Sequence, residues 1–562
     1  MSANDEQDSR RTTAPAVQSA WQPTAALVAK VDRYLAQSAA GGAQAVLQAA
    51  REDLTNGSSK DWHDVARQFL QRGQPLFAAA LLQGMPQQHR ADSSLRYWSA
   101  QALWQAGETG RAEAELRGLL AGGTHLAASR LLAQVLRAQG KLHAAASCMA
   151  AVAREVEDDT DGVLGCIQFV RDSHQHALAA ELCEEQLARG VADPRLHAVA
   201  GQIDQELGHF DRARSHFAVA LAGGIDLNAW FVPASLASLQ RYADRQHADF
   251  KLFEARLHDD NLSLRARASI LFALGKAFDD VGAYPDAAQA WRQANALASQ
   301  TARWSRTQWQ DFVTDRLSAP LLRSRRPDTK VVPVFVVGLP RTGTTLIAEL
   351  LGRQPDVCNR GELPTLEFIA QRLAGLSPTQ RAEHMEEAAG IYLTHLRRDD
   401  PPMSHYVDKN PLNFRYLDHV VAMFPHARII HCQRQRRDTA LSIWSQPFAR
   451  VEYAFARNFG DIAALMDGAD ALMSHWRQTL PLPIITVAYE DLVADPVATM
   501  KILLPQLGLP SHGSSDLEAM GSTAITSASL WQARQPVHRR SVSRWRHYAA
   551  LLPELVELFP EA

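Results

Sequence analysis

The sequence predicts a multidomain protein in which an all-α repeat array precedes an α/β domain with a parallel sheet. Three observations lead to this prediction. Residues 28–300 are rich in Ala, Leu, Gln and Arg, and their apolar residues recur at helical spacing. Near Lys330 the pattern changes to β-branched apolar runs separated by amphipathic helices. The length of 562 residues also exceeds what a single hydrophobic core usually organises.

Composition excludes several classes of protein. The chain has 58 basic and 61 acidic residues and a formal net charge of -3, so we expect no nucleic-acid partner. Its five cysteines show neither CxxC pairing nor zinc-ligand spacing, which argues against disulfides and a structural metal. We see no signal peptide and no apolar stretch long enough to span a membrane. These features predict a cytoplasmic protein with a flexible tail over residues 1–25.

Short breaks divide the helical region at a regular period. They are 33, 34 and 34 residues apart, at Gly107, Gly140, His174 and Gly208. This is the period of a helix-turn-helix solenoid unit. The interval from Gly208 to Gly282 is 74 residues. We therefore expect a poorly matching unit with an insertion around residues 237–257.

The repeats resemble the tetratricopeptide family. In the clearest copy, Gly275, Gly282 and Ala287 occupy the small positions and Trp291 an aromatic position. Two helices cross closely only where a small residue faces a large side chain, which explains the pattern physically. The resemblance implies a solenoid over residues 26–318 that binds a protein or peptide.

A second domain, over residues 331–562, is predicted to follow a linker at residues 319–330. Its first run, VVPVFVVGLP, has the composition of a buried parallel strand. Further runs, the first of them weaker, lie at residues 405–407, 427–432 and 483–488. Strands that alternate with long connections imply βαβ crossovers and a parallel sheet. Ligands of such sheets bind at the carboxyl ends of the strands.

The segment after the first strand has the character of an anion-binding loop. It reads Gly338-Leu339-Pro340-Arg341-Thr342-Gly343-Thr344-Thr345, and a helix is expected to follow. Backbone N–H groups, hydroxyls and a helix N-terminus would then surround one phosphate-sized anion. The loop resembles that of nucleotide triphosphatases but lacks Gly-Lys-Ser/Thr, because Thr344 follows Gly343 and the cation is Arg341. We expect the anion to be bound by Pro340, Arg341, Thr342, Gly343, Thr344 and Thr345.

A second anion site is expected after the strand at residues 427–432. Arg434 leaves the end of that strand, and Ser442 lies eight residues further on, in a predicted helix. A guanidinium group and a hydroxyl at this spacing would hold a second phosphate.

The two sites together resemble sulfotransferases that use 3'-phosphoadenosine 5'-phosphosulfate. The resemblance is to the bacterial branch with an N-terminal tetratricopeptide array, whose catalytic domain is similar to tyrosylprotein sulfotransferases. Residues 340–345 match the 5'-phosphosulfate loop, and Arg434 with Ser442 matches the 3'-phosphate motif. The resemblance implies a P-loop-like α/β sulfotransferase domain that releases adenosine 3',5'-bisphosphate as product. It also implies an acceptor with a hydroxyl group, and peptides and proteins are among the candidate acceptors. It implies no metal.

The same resemblance assigns roles to three further residues. Glu362, in Asn359-Arg360-Gly361-Glu362, matches the base of the tyrosylprotein branch, which takes the acceptor proton. Lys409, in Asp408-Lys409-Asn410-Pro411, matches the residue that neutralises charge on the leaving oxygen, and Arg341 would act on the same group. Tyr489, at the end of the strand at 483–488, matches a tyrosine that contacts the nucleotide.

Residues 529–545 are expected to fold over the nucleotide. They place four Arg residues close to Trp531 and Trp545. Of these, Arg544, in Ser-Arg-Trp, aligns best with a basic nucleotide contact. The active-site serine of the family matches Ser529 best, with Ser527 as the alternative.

Two other functions fit parts of the sequence. A P-loop phosphotransferase would share the fold, but the missing Gly-Lys-Ser/Thr and Walker-B signals count against it. A repeat scaffold with an inactive α/β domain is disfavoured because all the expected active-site residue types are present. The acceptor stays open among tyrosine peptides, sugars, lipids and small phenols, since each needs the same base and donor site.

Overall fold

The computed structural model describes residues 21–156, 159–301, 303–322, 330–448, 450–510 and 537–560. By compactness the chain divides into two units, residues 1–182 and 183–562. The division falls inside the helix His176–Ala188, so the last helices of the array belong to the same unit as the sheet. The domain bounds expected from the sequence, with a linker at residues 319–330, remain a prediction.

The predicted helical array is present and consists of short helices joined by tight turns. In chain order its helices are α1 Ala25–Ala36, α2 Ser38–Leu54, α3 Ser59–Gln71, α4 Pro75–Gln83, α5 Ser93–Gln105, α6 Thr109–Leu120, α7 Leu126–Ala138, α8 Leu142–Glu155, α9 Thr160–Asp172, α10 His176–Ala188, α11 Pro194–Leu207, α12 Phe210–Ala222, α13 Val232–Ser238, α14 Ala248–Leu257, α15 Leu264–Asp280, α16 Tyr284–Ala298 and α17 Arg306–Ser318. A short 3₁₀ helix, Gln87–His89, follows α4.

The breaks predicted from the sequence are turns between paired helices. Gly107, Gly140, His174 and Gly208 have φ angles of +84°, +75°, +59° and +86°. Each follows the first helix of its pair, where a left-handed residue reverses the chain and Gly avoids the Cβ strain. Gly73, with φ +69°, forms the same kind of turn 34 residues before Gly107. That earlier unit is an addition to the predicted series.

The irregular unit expected around residues 237–257 is confirmed. Its helices α13 and α14 are only 7 and 10 residues long. The segment between them is held by Tyr242, which is buried and donates a hydrogen bond to Asp249 Oδ2 at 2.7 Å. Arg214 also pairs with Asp249 at 2.8 Å. Side-chain contacts therefore replace regular helix pairing in this unit.

The last helical pair, α15 and α16, crosses where Gly275 faces Trp291. A Cβ atom at Gly275 would lie 2.3 Å from Trp291 Nε1, closer than real contacts allow. The Trp291 ring also packs against Trp444 and Tyr548 of the α/β domain, with centroid separations of 6.2 and 5.7 Å. The small residue that the sequence pattern identified thus lets one tryptophan join the array to the domain that follows.

Replacing Gly275 by Ala is expected to lower the free energy of unfolding by about 1–3 kcal/mol, because the added methyl group overpacks the crossing. Gly390→Ala, in the middle of the helix Pro378–Arg397, is the matched control. There a Cβ atom would meet no described atom within 4 Å, and the change should stabilise the helix by about 0.5–1 kcal/mol. Urea unfolding of both variants tests this, and equal shifts would contradict the packing argument.

A five-stranded parallel sheet forms the centre of the α/β domain. Its strands are β1 Val332–Gly338, β2 Val357–Asn359, β3 His405–Asp408, β4 Arg428–Gln433 and β5 Ile484–Ala488. The spatial order is β2-β3-β1-β4-β5. Four of these strands were predicted, whereas β2 has only three residues and no recognisable pattern. The central strand β1 alternates its side chains between two cores, with Val334 and Val336 in one and Phe335 and Val337 in the other.

Helices cover both faces of this sheet. They are α18 Thr344–Gly352, α19 Thr365–Ala374, α20 Pro378–Arg397, α21 Leu417–Met423, α22 Arg436–Trp444, α23 Phe459–Thr479, α24 Tyr489–Ala494, α25 Pro496–Leu507 and α26 Pro553–Glu557, with 3₁₀ helices at Pro411–Tyr416, Val451–Arg457 and Arg544–His547. Within the described ranges, none of the helices combines the length and the apolar character needed to cross a bilayer. Because all the strands are parallel, the loops after β1 to β5 meet at one edge of the sheet.

Candidate active site

The loop after β1 has the backbone shape that its sequence predicts. Arg341 has φ +72° and Gly343 φ +93°, and α18 begins directly afterwards at Thr344. Two close approaches explain the glycines. A Cβ atom at Gly338 would lie 2.5 Å from the carbonyl oxygen of Cys432, and one at Gly343 would lie 2.8 Å from the ring of Tyr489. The loop is therefore pressed between the ends of β4 and β5.

Three threonines of this loop are buried at the start of α18. Thr342, Thr344 and Thr345 are 2%, 3% and 6% exposed. Thr342 Oγ1 donates a hydrogen bond to the carbonyl oxygen of Leu339 at 2.7 Å, which closes the turn. Pro340 is buried beside it. The loop is thus buried and hydrogen-bonded, and it ends on a helix N-terminus, where the helix dipole favours an anion.

The residues of the two anion sites predicted from the sequence lie next to one another. Arg341 Nε donates a hydrogen bond to Ser442 Oγ at 3.1 Å, which links the loop after β1 to helix α22 after β4. Arg434 Nη1 donates to the carbonyl oxygen of Arg341 at 3.0 Å, and its guanidinium lies 4.5 Å from the ring centre of Tyr489. Four predicted nucleotide contacts are therefore neighbours, although they come from three separate loops.

Arginine side chains bring positive charge close together at this site. The pKa of Arg341 is lowered to about 10, first by burial and then by the positive charges of Arg434 and Arg544. Burial likewise lowers the pKa of Arg434. Arg434 Nε is buried and finds no hydrogen-bond partner among the described residues. Clustered guanidinium groups with an unused donor are suited to a multiply charged anion.

Arg544 lies beside the same residues, and an aspartate of the helical array holds it there. Its Nη2 lies 2.9 Å from Asp279 Oδ2, at the end of α15. Arg544 is nevertheless close enough for its charge to lower the pKa of both Arg341 and Arg434. The predicted C-terminal contact is thus near the anion site. Four further candidates, Trp531, Arg534, Ser527 and Ser529, lie outside the described residues.

Glu362 and Lys409 form an ion pair at the neighbouring strand ends. Lys409 Nζ lies 2.5 Å from Glu362 Oε1. The backbone N–H of Lys409 also donates to the carbonyl oxygen of Gly361 at 2.8 Å. The lysine side chain is 5% exposed and the glutamate 23%. The predicted base therefore keeps some contact with solvent, while its cationic partner is enclosed after β3, the strand next to β1.

Asp408 is the buried anchor of this pair. Tyr392 donates a hydrogen bond to it, as do Asn413 Nδ2 at 2.8 Å and the Leu363 N–H at 3.3 Å. These bonds tie the loop that carries Glu362 to the loop that carries Lys409. Burial raises the pKa of Asp408 to about 6, in spite of the hydrogen bonds, which lower it.

The raised pKa of Asp408 predicts a pH dependence of stability. Its usual value is 3.8, and its value in the folded protein is about 6. Between these pH values the folded protein binds a proton at Asp408 that the unfolded chain does not bind. The contribution of Asp408 to the free energy of unfolding should therefore fall by about 3 kcal/mol as the pH rises from about 4 to about 6.

Asp408→Asn removes the titrating group. The wild type should therefore lose about 3 kcal/mol of unfolding free energy relative to the variant as the pH rises from about 4 to about 6. Urea unfolding at several pH values measures it. Parallel pH profiles of the two proteins would show that the pKa of Asp408 is not raised.

Sequence reasoning missed two carboxylates that organise the site. Asp438 accepts hydrogen bonds from the N–H groups of Ser543 and Trp545 at 2.6 and 2.9 Å, which holds the C-terminal segment against α22. Glu490 Oε1 accepts from the N–H of Gln435 at 3.0 Å. The partners of both carboxylates come from other loops. A local motif contains no signal for such contacts.

A possible metal-ligand group lies elsewhere in the chain. Among the described residues, the ligand atoms of Glu184, Asp204 and His216 come within 4.8 Å of one another. Arg212 already bridges the two carboxylates, at 2.7 Å from Glu184 and 3.3 Å from Asp204. This cluster belongs to the helical array.

A protein-family model matches most of the α/β domain. The model of the sulfotransferase family matches residues 333–513. These residues are similar to the sulfotransferase family. Arg341, Glu362, Lys409, Arg434 and Tyr489 lie within the matched residues, while Arg544 lies beyond them.

Curated proteins of several organisms are similar to part of this chain. An uncharacterized protein of Aquifex aeolicus is 29% identical over 332 residues, which cover 55% of this chain and 44% of that protein. Protein-tyrosine sulfotransferase 1 of Danio rerio is 24% identical over 255 residues, 40% of this chain and 71% of the relative. The protein-tyrosine sulfotransferase of Drosophila melanogaster is 23% identical, with 45% and 52% covered. The chain thus spans about half the length of the first of these relatives.

Solved sulfotransferase structures also align with part of the chain. Sulfotransferase STF9 of Mycobacterium avium aligns over 57% of this chain and 96% of its own, with 16% identity and a TM-score of 0.26. Sulfotransferase STF1 of Mycobacterium tuberculosis aligns over 57% and 100%, with 15% identity and a TM-score of 0.23.

Proposed function

We propose that this chain transfers the sulfuryl group of 3'-phosphoadenosine 5'-phosphosulfate to an acceptor hydroxyl. The contact between Arg341 and Ser442 is the observation that carries the proposal. It joins the two predicted anion sites into one site of the kind needed by a donor with phosphate groups at both its 5' and 3' positions. The match of residues 333–513 to the sulfotransferase family supports the same assignment.

The residues at the sheet edge suit this donor in their chemistry. The N–H groups and hydroxyls of residues 340–345 would bind the 5'-phosphosulfate, as helix N-termini bind anions. Arg434 and Ser442 would bind the 3'-phosphate. The buried N–H group at Arg434 Nε has no partner among the described residues and could donate to this phosphate. Tyr489, beside Arg434 and Gly343, would contact the nucleotide.

The ion pair after β2 and β3 would perform the proton and charge chemistry. The donor supplies an activated sulfuryl group and leaves as adenosine 3',5'-bisphosphate. Glu362 accepts the proton of the acceptor hydroxyl, and Lys409 Nζ, 2.5 Å from it, neutralises charge on the leaving oxygen together with Arg341. Because Arg and Lys side chains supply the positive charge, we expect transfer to proceed without a divalent metal ion.

The acceptor that we propose to test first is a protein tyrosine. Two relatives are named protein-tyrosine sulfotransferases, and the helical array of residues 26–318 has the repeat character of peptide-binding solenoids. In this proposal the array recruits a protein or peptide whose hydroxyl then reaches Glu362. Ser529, or Ser527 in its place, stays the proposed active-site serine.

The proposal is tested by transfer of labelled sulfate. The purified full chain is incubated with donor carrying ³⁵S, first with tyrosine-containing peptides and then with a cell lysate, and the labelled product is identified by mass spectrometry. Label should enter a hydroxyl compound equally well with and without EDTA. Calorimetry should show binding of adenosine 3',5'-bisphosphate. No binding of this nucleotide, together with Mg²⁺-dependent ATP turnover, would favour a phosphotransferase instead.

A further inference from the structure

We propose that Asp279, in the last helical pair of the array, positions Arg544 for the donor site. This inference rests on the proposed function, because Arg544 matters only if that site binds an anionic nucleotide. It gives the array a second role besides recruitment, since a residue of α15 would set the affinity of the catalytic domain for its donor.

Asp279 contacts one edge of the guanidinium group of Arg544 with both of its carboxylate oxygens. Arg544 Nε lies 3.2 Å from Oδ1, and Nη2 lies 2.9 Å from Oδ2. Tyr548 donates a further hydrogen bond to Oδ1 at 2.5 Å. A bidentate carboxylate contact fixes both the position and the plane of a guanidinium group.

Aromatic rings complete the enclosure of Arg544. Its guanidinium carbon lies 5.5 Å from the ring centre of Trp291, in α16, and 5.7 Å from that of Tyr548. His547 stacks on Tyr284, at the start of α16, with centroids 4.5 Å apart. The segment around Arg544 therefore rests on the last helical pair of the array.

The other side of this segment contacts the donor site. Asp438, in α22, accepts from the N–H groups of Ser543 and Trp545, the two neighbours of Arg544. Arg434 Nη2 donates to the carbonyl oxygen of Ser541 at 2.5 Å. Arg544 thus stands between the array and the residues proposed to bind the 3'-phosphate.

Charge explains why an aspartate is useful here. Arg341, Arg434 and Arg544 repel one another, and this repulsion is strongest before an anion binds. Asp279 offsets the charge of Arg544 and keeps its long side chain in one conformation. Preorganised side chains lose less entropy when a ligand binds, so we expect Asp279 to strengthen donor binding although its own charge is negative.

The alternative is that Asp279 only docks the array onto the catalytic domain. Arg292 and Glu554 form a second ion pair between α16 and α26, with distances of 2.8 and 3.0 Å, well suited to that purpose. Neither residue contacts the proposed donor site. Arg292→Gln is therefore the matched control, because it breaks the same interface without touching Arg544.

The test is a double-mutant cycle on the full chain, with binding of adenosine 3',5'-bisphosphate measured by calorimetry. We expect Asp279→Asn and Arg544→Ala each to raise Kd about tenfold, the loss of roughly one charged hydrogen bond. The double variant should be no weaker than Arg544→Ala alone, because Asp279 acts through Arg544. Arg292→Gln should stay within about twofold of the wild type, even where its melting temperature falls.

Asp279→Glu is a second test variant for the case that Asp279→Asn fails to fold. It keeps the charge but moves the carboxylate, and should also raise Kd. Wild-type affinity in a folded Asp279 variant, or fully additive effects in the double variant, would overturn the inference and leave the proposed function intact. Failure of the wild type to bind the nucleotide would overturn both.

Discussion

Glu362→Gln is expected to lower kcat by about 10²–10⁴-fold, the usual contribution of a general base. Gln has nearly the same shape and can still accept a hydrogen bond from Lys409 Nζ, which lies 2.5 Å from Glu362 Oε1. It cannot take up the proton of the acceptor. The loss should therefore appear in turnover, while Kd for adenosine 3',5'-bisphosphate stays within about twofold.

Glu367→Gln is the matched control for this variant. Glu367 also carries an ion pair, with Arg415 at 3.2 Å, and its side chain is 25% exposed, close to the 23% of Glu362. Sulfate transfer and nucleotide binding, measured side by side, separate the possible outcomes. Full activity of Glu362→Gln would place the base elsewhere. Parallel losses of turnover and nucleotide affinity would mean that the residue supports the site structurally.

Arg434→Ala is expected to weaken adenosine 3',5'-bisphosphate binding by about 100-fold. The variant removes charged hydrogen bonds to the 3'-phosphate, each of which contributes about 1.5–3 kcal/mol. It also removes the donor to the Arg341 carbonyl oxygen, at 3.0 Å, and the stacking on Tyr489. Ser442→Ala should have a smaller effect in the same direction, because it deletes one hydroxyl that also receives the Arg341 Nε hydrogen bond.

Arg436→Ala tests whether loss of any nearby cation would do the same. Arg436 lies two residues further on, but it is partly exposed and paired with Asp467 at 2.5 Å and with Asp470. We expect the Arg436→Ala variant to bind adenosine 3',5'-bisphosphate with the same Kd as the wild type, as measured by calorimetry. A similar loss of affinity in both Arg variants would point to the general field of the domain. Unchanged affinity in Arg434→Ala would remove Arg434 from the donor site.

Local motifs made much of the site predictable. The shape of the loop at residues 338–345 is encoded in its own residues, since Gly343 and the start of α18 at Thr344 follow from short-range sterics. Arg434 and Ser442 could be paired from their spacing, because one strand end and one helix connect them directly. The structure confirms this neighbourhood through Arg341.

The fold was predictable for a related reason. Strands β1, β4 and β5 have β-branched apolar runs typical of a buried sheet, and β3 has a weaker one. The array shows the period of stacked helical pairs. Strand β2 escaped prediction because three residues, Val357–Asn359, have no periodicity to detect. The series of turns predicted from the sequence starts at Gly107 and omits the equivalent turn at Gly73.

The sequence by itself determined the helical array, the parallel sheet and the identities of the residues at its carboxyl edge. Only the tertiary structure decided how distant carboxylates are used. Asp279 reaches Arg544 across 265 positions, and Asp438 reaches Ser543 across 105. Asp408 likewise joins loops that come from different strands. Motif and periodicity report interactions between near neighbours in the chain, whereas these contacts form only when packing brings distant parts of the chain together.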